Sequence, residues 1–392
     1  MRQNRANPLH VVVVGVDLDP LGRSPARLLP EARDFGSVEA AAAQGQEVRM
    51  SIVQASWQDD RRFLRGVDCH FVSEPMPFLA LPGVRPLRRL PHRLIDRVKA
   101  LEPDVVHFNG LTYPRDLRAL QDALPNVPFV AQDHGFHVPS SLRQSYYRWG
   151  LATLHAVMFC AREQAQPLQR SGILDPKTSV FEVVEVSSPF QTGDLEVARA
   201  ATGMQGAPCL LWLGNLDTNK DPLMILDAVA TAASTLPGIR LYMCFRYGAL
   251  LREVRTRIER DPVLRGRVTL LGELPYSAME AHLQAADFLV QGSHREAGGF
   301  GVIEALACGT TPLVTDIASF RRIAVRGQFG ALVPVGDAAT MAKEIIEWNR
   351  RDQKLLRRLA RLHFEQELSF AAVGQQLRTT YEQVRGLIRR PR

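Results

Sequence analysis

The sequence predicts an α/β protein built from two doubly wound, Rossmann-like domains, and two observations carry the prediction. Apolar runs of strand length alternate with amphipathic stretches of helix length, the order that produces parallel sheets covered by helices. The alternation pauses once, over the polar and glycine-containing Ser187–Gly206, and then starts again. A chain of 392 residues is also long for a single core. The domains are therefore read as 1–190 and 207–372, joined by a linker at Ser187–Gly206.

Taken in order, Val11–Val16 is an unbroken apolar run after a polar tail, as expected of a strand buried on both faces. The loop Asp17–Ser24 contains Gly22, and Arg33–Gln44 reads as a helix. Glu47–Gln54 and Val67–Val72 read as strands, and Pro75–Pro91, rich in proline and arginine, as an irregular loop. Helices are expected at Leu94–Leu101, Asp116–Leu124, Ser140–Thr153 and Arg162–Arg170. Between them lie strands at Asp104–Phe108, Pro128–Gln132, Ala156–Cys160 and Val180–Val186. The second domain opens on the strand Cys209–Leu213, then alternates helices at Leu223–Thr235 and Leu250–Arg260 with strands at Arg240–Phe245 and Val268–Leu271. Met279–Ala285 leads to the unit described below, Ala339–Asn349, Gln353–Phe364 and Phe370–Arg385 are read as helices, and Leu332 marks a late strand.

Composition narrows the function. The net charge of +7 comes from arginine far more than lysine. The arginines are scattered and lack interleaved aromatics, which argues against a dedicated nucleic-acid surface and leaves phosphate-bearing ligands or an anionic membrane surface as partners. The five cysteines, Cys69, Cys160, Cys209, Cys244 and Cys308, are odd in number and widely spaced; they are expected as buried thiols of a reducing cytoplasm and not as metal ligands. With no signal peptide and no apolar run of spanning length, the expectation is a cytoplasmic protein that can sit at the periphery of a membrane.

The densest chemistry lies between Ser293 and Asp316. The apolar run Ala286–Val290 is a short strand, Glu296-Ala297-Gly298-Gly299-Phe300-Gly301 a turn, and Val302–Ala307 opens a helix that ends at Gly309 before the strand Leu313–Thr315. The free N–H groups of the helix's first turn make an anion site, and Gly298, Gly299 and Gly301 let a ligand approach the backbone. Glu296 and Glu304 flank that site, which suits a ligand carrying both phosphates and hydroxyls. A nucleotide sugar is such a ligand. In Leu213-Gly214-Asn215-Leu216-Asp217-Thr218-Asn219-Lys220, Lys220 is placed to meet a diphosphate, in a loop that is not a Walker A motif. Asp133-His134-Gly135 ends a strand of the first domain, and His107 with Asn109 and Gly110 ends the strand before it.

The run Glu296 to Pro312, with its two glutamates and Ala305-Leu306-Ala307-Cys308-Gly309, resembles the signature of retaining group 1 (family 4) glycosyltransferases with the GT-B fold. The resemblance implies two Rossmann-like domains facing a central cleft, with a C-terminal helix (Val373–Ile388, within 373–392) packing back on the first domain. It implies transfer of a sugar from a nucleotide-diphosphate sugar, without a cofactor or metal, to a glycan, lipid or small-molecule acceptor. It assigns donor binding to Asn215, Lys220, Glu273, Glu296, Gly298, Gly299, Phe300, Gly301 and Glu304. Glu304 would hold the ribose, Glu296 the sugar, and the backbone beside Glu273 the base. His134 would line the reaction centre, with Glu296 and Lys220 as the other catalytic residues. Gly22 would belong to the glycine loop of the first domain. Asn215 departs from the family's arginine, which puts donor charge neutralisation in question; Arg246 and Arg295 are substitutes. It keeps two alternatives open, a catalytically impaired sugar-nucleotide-binding homologue and a GT-B nucleotide-sugar epimerase or hydrolase.

Overall fold

The structure is a computed structural model that describes residues 8–29, 35–44, 47–74, 91–324 and 327–388. Apart from Pro91 the loop expected at Pro75–Pro91 lies outside the described residues, as does the start of the helix expected at Arg33–Gln44. The chain divides into two compact units, Met1–Glu185 with Phe370–Arg392, and Val186–Ser369.

The sheet of the first unit contains β1 (Leu9–Gly15), β2 (Val48–Ser56), β3 (Asp60–Leu64), β4 (Val67–Ser73), β5 (Val105–Asn109), β6 (Phe129–Gln132), β7 (Ala156–Phe159) and β8 (Ser179–Glu182). Among the described residues its order is β3-β4-β2-β1-β5-β6-β7-β8. The pairings are parallel except that β3 runs antiparallel to β4. Sequence reading misses β3, because Asp60-Arg61-Arg62-Phe63-Leu64 is polar and mostly exposed. Its signal is the turn: Arg65 and Gly66 have φ of 50° and 89°, the two positive values a two-residue hairpin requires.

Side chains alternate across the sheet. Val12, Val14, Val106 and Phe108 face one cluster with Leu94, Leu117, Leu120 and Leu151. Val11, Val13 and Val105 face the other, with Ala40, Leu377, Tyr381 and Val384. The C-terminal helix Phe370–Ile388 thus lies on this unit. Its approach is close: a Cβ on Gly374 would meet the Ala41 carbonyl carbon at 2.6 Å.

The second unit's strands are β9 (Cys209–Leu213), β10 (Arg240–Cys244), β11 (Val268–Gly272), β12 (Phe288–Gln291), β13 (Thr311–Thr315) and β14 (Ala331–Val333). All pair in parallel in the order β11-β10-β9-β12-β13-β14, around a core that includes the fully buried Trp212. The expected linker Ser187–Gly206 is not a structureless connection. It contains the helix Leu195–Thr202, where the Asp194 carboxylate accepts from the N–H groups of Glu196 and Val197 and Gly203 (φ 70°) closes the far end. The Asp cap and the glycine stop are ordinary helix punctuation, outweighed in the sequence by the polar, glycine-containing residues around them.

Candidate functional site

In the second unit the strand order reverses between β9 and β12, and such a reversal opens a crevice at the strands' carboxyl ends. The two loops singled out in the sequence leave those two strands. The loop after β9 turns through Asp217, whose carboxylate accepts from the Lys220 N–H at 2.9 Å. It ends at Asp221, held at φ 42°, which caps the helix Pro222–Ala232 by accepting from the Met224 N–H.

The loop after β12 is pinned on both sides. The His294 N–H donates to the Asn219 carbonyl at 2.7 Å, and Asn219 Nδ2 donates to the Arg295 carbonyl at 3.1 Å. From the other side, Thr315 Oγ1 donates to the Ser293 carbonyl and Ser319 Oγ to the Glu296 carbonyl. These bonds set Lys220 against Glu296, and the two side chains form an ion pair, 21% and 16% exposed.

Gly299 stands at the N-cap of the helix Phe300–Ala307 with φ 61°, where a Cβ would lie 2.8 Å from Ile323 Cδ1. Only glycine meets both demands. Gly298 is buried and Gly301 partly so, Phe300 is 38% exposed, and Glu304 is buried at 4%. The helix therefore presents its N-terminal N–H groups beside a sheltered carboxylate. Asn215 is half-buried and its carbonyl accepts from the Asp217 N–H at 2.9 Å. Glu273, just beyond β11, pairs with Arg246 at 2.9 Å, and both are well exposed, so the pair holds Arg246 only loosely.

The first unit has its own reversal between β1 and β5, and His134 lies at the same end of the sheet. Its Nδ1 meets the carboxylate of Glu185 and its Nε2 meets Asn109 Oδ1. Burial disfavours its charge, but the hydrogen bond and charge of Glu185, helped by Asp133 and Asp17, outweigh it and raise its pKa above 6.5. The Asp133 carboxylate shapes the turn by accepting from the N–H groups of Gly135 and Phe136, each at 2.9 Å. Asn109 is the strand-end residue already singled out beside His107, whereas Glu185 carries no local motif and only its place after a strand run could have drawn notice.

His107 does not join this group. It points to the opposite face of the sheet, where its Nδ1 shares a 2.9 Å hydrogen bond with Tyr381 Oη. Burial and the neighbouring His134 push its pKa down to about 3, so it is a neutral core histidine. Asp17 and Asp19 do not form a carboxylate pair either, since Asp17 accepts from Tyr113 and Asp19 is tied to Arg23 at 2.6 Å. Among the described residues no three His, Cys, Asp or Glu side chains gather as a metal-ligand group. The five cysteines are buried free thiols.

A glutamate pair and a lysine beside a helix N-terminus at one switch point suit a ligand that carries both phosphate and hydroxyl groups, and comparison with known proteins points the same way. Residues 196–362 match the family described as group 1 glycosyl transferases, and the fold is GT-B. It is 27% identical over 238 residues to the GDP-mannose:cellobiosyl-diphosphopolyprenol alpha-mannosyltransferase of Xanthomonas campestris, covering 59% of this chain and 60% of that protein. It is 28% identical over 292 residues to the phosphatidyl-myo-inositol mannosyltransferase of Mycolicibacterium smegmatis, covering 72% of each. In fold it resembles a glycosyltransferase of Rickettsia africae (TM-score 0.70, 15% identity, 97% of this chain and 99% of that one). It also resembles Anabaena HepE in complex with UDP and glucose (TM-score 0.65, 16% identity, 96% and 100%).

Proposed function

We propose that the chain transfers a sugar from a nucleoside-diphosphate sugar to a lipid-carried acceptor, with retention of the anomeric configuration and without a metal ion. The observation that carries this reading is the meeting of Lys220, Glu296 and the Gly299-capped helix holding Glu304 at one switch point. Helix N–H groups favour an anion, a carboxylate favours sugar hydroxyls, and Lys220 supplies the charge that a departing diphosphate needs. Glu304 then binds the ribose and Glu296 the donor sugar, while Lys220 and the N–H groups of Phe300 and Gly301 bind the diphosphate. Gly298 keeps the approach open, and the backbone beside Glu273 holds the base, with Asn215 donating a hydrogen bond where charge is absent.

Retention follows when the acceptor oxygen attacks from the face the leaving group departs. The bond from the sugar carbon to the diphosphate oxygen breaks as the bond to the acceptor forms, and the released phosphate oxygen takes the acceptor's proton. In the first unit, His134, whose pKa Glu185 raises, hydrogen-bonds substrate in this reading. The lipid-carried acceptor is supported by the names of two relatives, one acting on a diphosphopolyprenol and one on phosphatidyl-myo-inositol.

Asn215 favours a second reading, in which donor binds but is not turned over. Equilibrium binding of UDP, GDP, ADP and their common sugars to wild type and Glu304→Ala tests the donor site. One nucleotide family should bind, and the substitution should weaken it about 100-fold through the loss of charge-assisted hydrogen bonds. Absence of binding by every nucleotide refutes the reading. Product formation on polyprenyl-phosphate glycosides, unchanged by EDTA, separates transfer from binding alone.

A further inference from the structure

The short helix Ala318–Ile323 stands between the glycine turn and the helix Gln353–His363. Towards the turn its contacts are close. Ser319 Oγ donates to the Glu296 carbonyl at 3.2 Å, and a Cβ on Gly299 would lie 2.8 Å from Ile323 Cδ1 and 3.0 Å from Phe320 Cε1. The turn that carries Glu296 and heads the helix Phe300–Ala307 therefore takes its position from this short helix. So short a helix has few bonds of its own, and its last carbonyls lack intrahelical partners. Something outside must hold it.

On the other side the holder is His363, the last residue of its helix. His363 is 3% exposed, and its Nε2 lies 2.6 Å from the Ile323 carbonyl. A carbonyl only accepts, so Nε2 carries the proton and donates. Burial holds the pKa below 6.5, so the ring is neutral with this one N–H. The Phe329 ring lies flat against the imidazole, with centroids 4.3 Å apart and planes 1° from parallel, which fixes the plane of the donor. Directly after His363 the chain makes the π-helical turn Phe364–Leu368, closed by the Ser369 N–H on the Phe364 carbonyl at 2.7 Å. Such turns are uncommon and recur beside functional sites. Here the turn brings Glu367 to Arg322 at 3.5 Å, a second link to the same short helix, and Ser187 Oγ donates to its Leu368 carbonyl at 2.7 Å.

We infer that His363 is a positioning residue for the donor turn: its N–H on the Ile323 carbonyl keeps the helix Ala318–Ile323 against Gly299 and Glu296, so that the diphosphate site is formed before the ligand arrives. A phenylalanine would fill the same space and stack on Phe329, so packing alone asks for no N–H here. The bond to Ile323 does. Without it the short helix loosens, only a fraction of molecules keep the turn in place, and affinity falls by that fraction. The inference rests on reading the turn as the site of a nucleoside diphosphate.

Hydrogen–deuterium exchange of the ligand-free full chain reads the positioning apart from the donor. In His363→Phe the amides of 293–304 and 317–324 should exchange about tenfold faster, the effect of one buried hydrogen bond on local opening, with those of the central strand Cys209–Leu213 unchanged. His363→Gln, which still donates a side-chain N–H, should exchange like wild type. UDP, GDP and ADP are then titrated, and the nucleotide that binds wild type should bind His363→Phe about tenfold more weakly and His363→Gln almost undiminished. In the wild-type chain, which needs no variant to fold, that nucleotide should shift the His363 ring N–H resonance. It should leave unmoved the ring N–H of His282, whose Nδ1 donates to the Ala278 carbonyl at 2.8 Å within its own helix. Unchanged exchange at 293–304 in His363→Phe overturns the inference. So does a glutamine variant that behaves like the phenylalanine one, faster exchange with affinity intact, or a His363 resonance that nucleotide binding does not move. If no nucleotide binds wild type, the donor reading falls, and the exchange rates alone decide whether His363 positions the turn.

Discussion

The two units place their candidate residues in corresponding positions, at the carboxyl ends of strands beside a reversal in strand order, yet they assemble them in opposite ways. In the second unit one contiguous stretch supplies most of the site. Glu296, Gly298, Gly299, Phe300, Gly301 and Glu304 lie within nine residues, while Asn215 and Lys220 follow β9 and Glu273 follows β11. In the first unit every member comes from a different strand end: Asp17 after β1, Asn109 at the end of β5, His134 after β6 and Glu185 after β8. A site built on one loop and one helix terminus is specified by backbone geometry. A site drawn from several strand ends is specified by the sheet that carries them.

That contrast can be broken or sharpened by substitution, starting with the largest effect. Glu304→Ala, in the contiguous site, should reduce nucleotide affinity about 100-fold with little change in the first unit. An effect confined to stability would remove Glu304 from the ligand. Lys220→Met comes next. It should weaken diphosphate binding by about tenfold or more, and binding should lose much of its dependence on salt. It also leaves Glu296 without its lysine in a mostly buried setting, so isothermal titration should be paired with a urea melt; undiminished affinity would show that Glu296 alone occupies Lys220.

In the first unit the effect is one of pH. The raised pKa of His134 means that its folded-state pairing is fully present below the unfolded value near 6.5 and is lost as pH rises through the folded value. Glu185→Gln should lower the imidazole titration seen by NMR and flatten the alkaline loss of stability; an unmoved titration would assign the charge of His134 to other carboxylates. His107 works with the opposite sign. With a folded pKa of about 3, it contributes stability above about 6.5 that is lost as pH falls towards 3, because the unfolded chain takes up a proton that the core refuses. The smallest effect expected is that of Tyr381→Phe, which removes one buried hydrogen bond from His107. It should cost about 1–2 kcal/mol and leave nucleotide binding unchanged.

The same contrast explains what could be read in advance. Strand and helix alternation was legible because both faces of a parallel sheet are buried, so Val11–Val16 or Cys209–Leu213 must be apolar. The polar hairpin strand β3 escaped because an edge strand needs no apolar pattern. The helix at Leu195–Thr202 escaped because its capping residues were outweighed by a polar, glycine-containing surround. Gly299 was legible as a turn glycine, though the crowding by Ile323 that also forbids a side chain there was not. The sequence reading grouped His107 with His134, and the structure separates them. One strand residue points to Tyr381 while the next strand's end turns to Glu185.

By itself, then, the sequence determined what depends on neighbours along the chain: the periodicity of each element, the glycine geometry at the head of one helix, and the spacing of Glu296 and Glu304. Only the tertiary structure decided what depends on residues far apart in sequence. It gave Lys220 its glutamate, His134 its two partners, and the C-terminal helix its seat on the first unit's sheet. The physical reason is range: backbone torsions and capping act within a few residues, whereas ion pairs, shared hydrogen bonds and core contacts are set by which strands the sheet brings side by side.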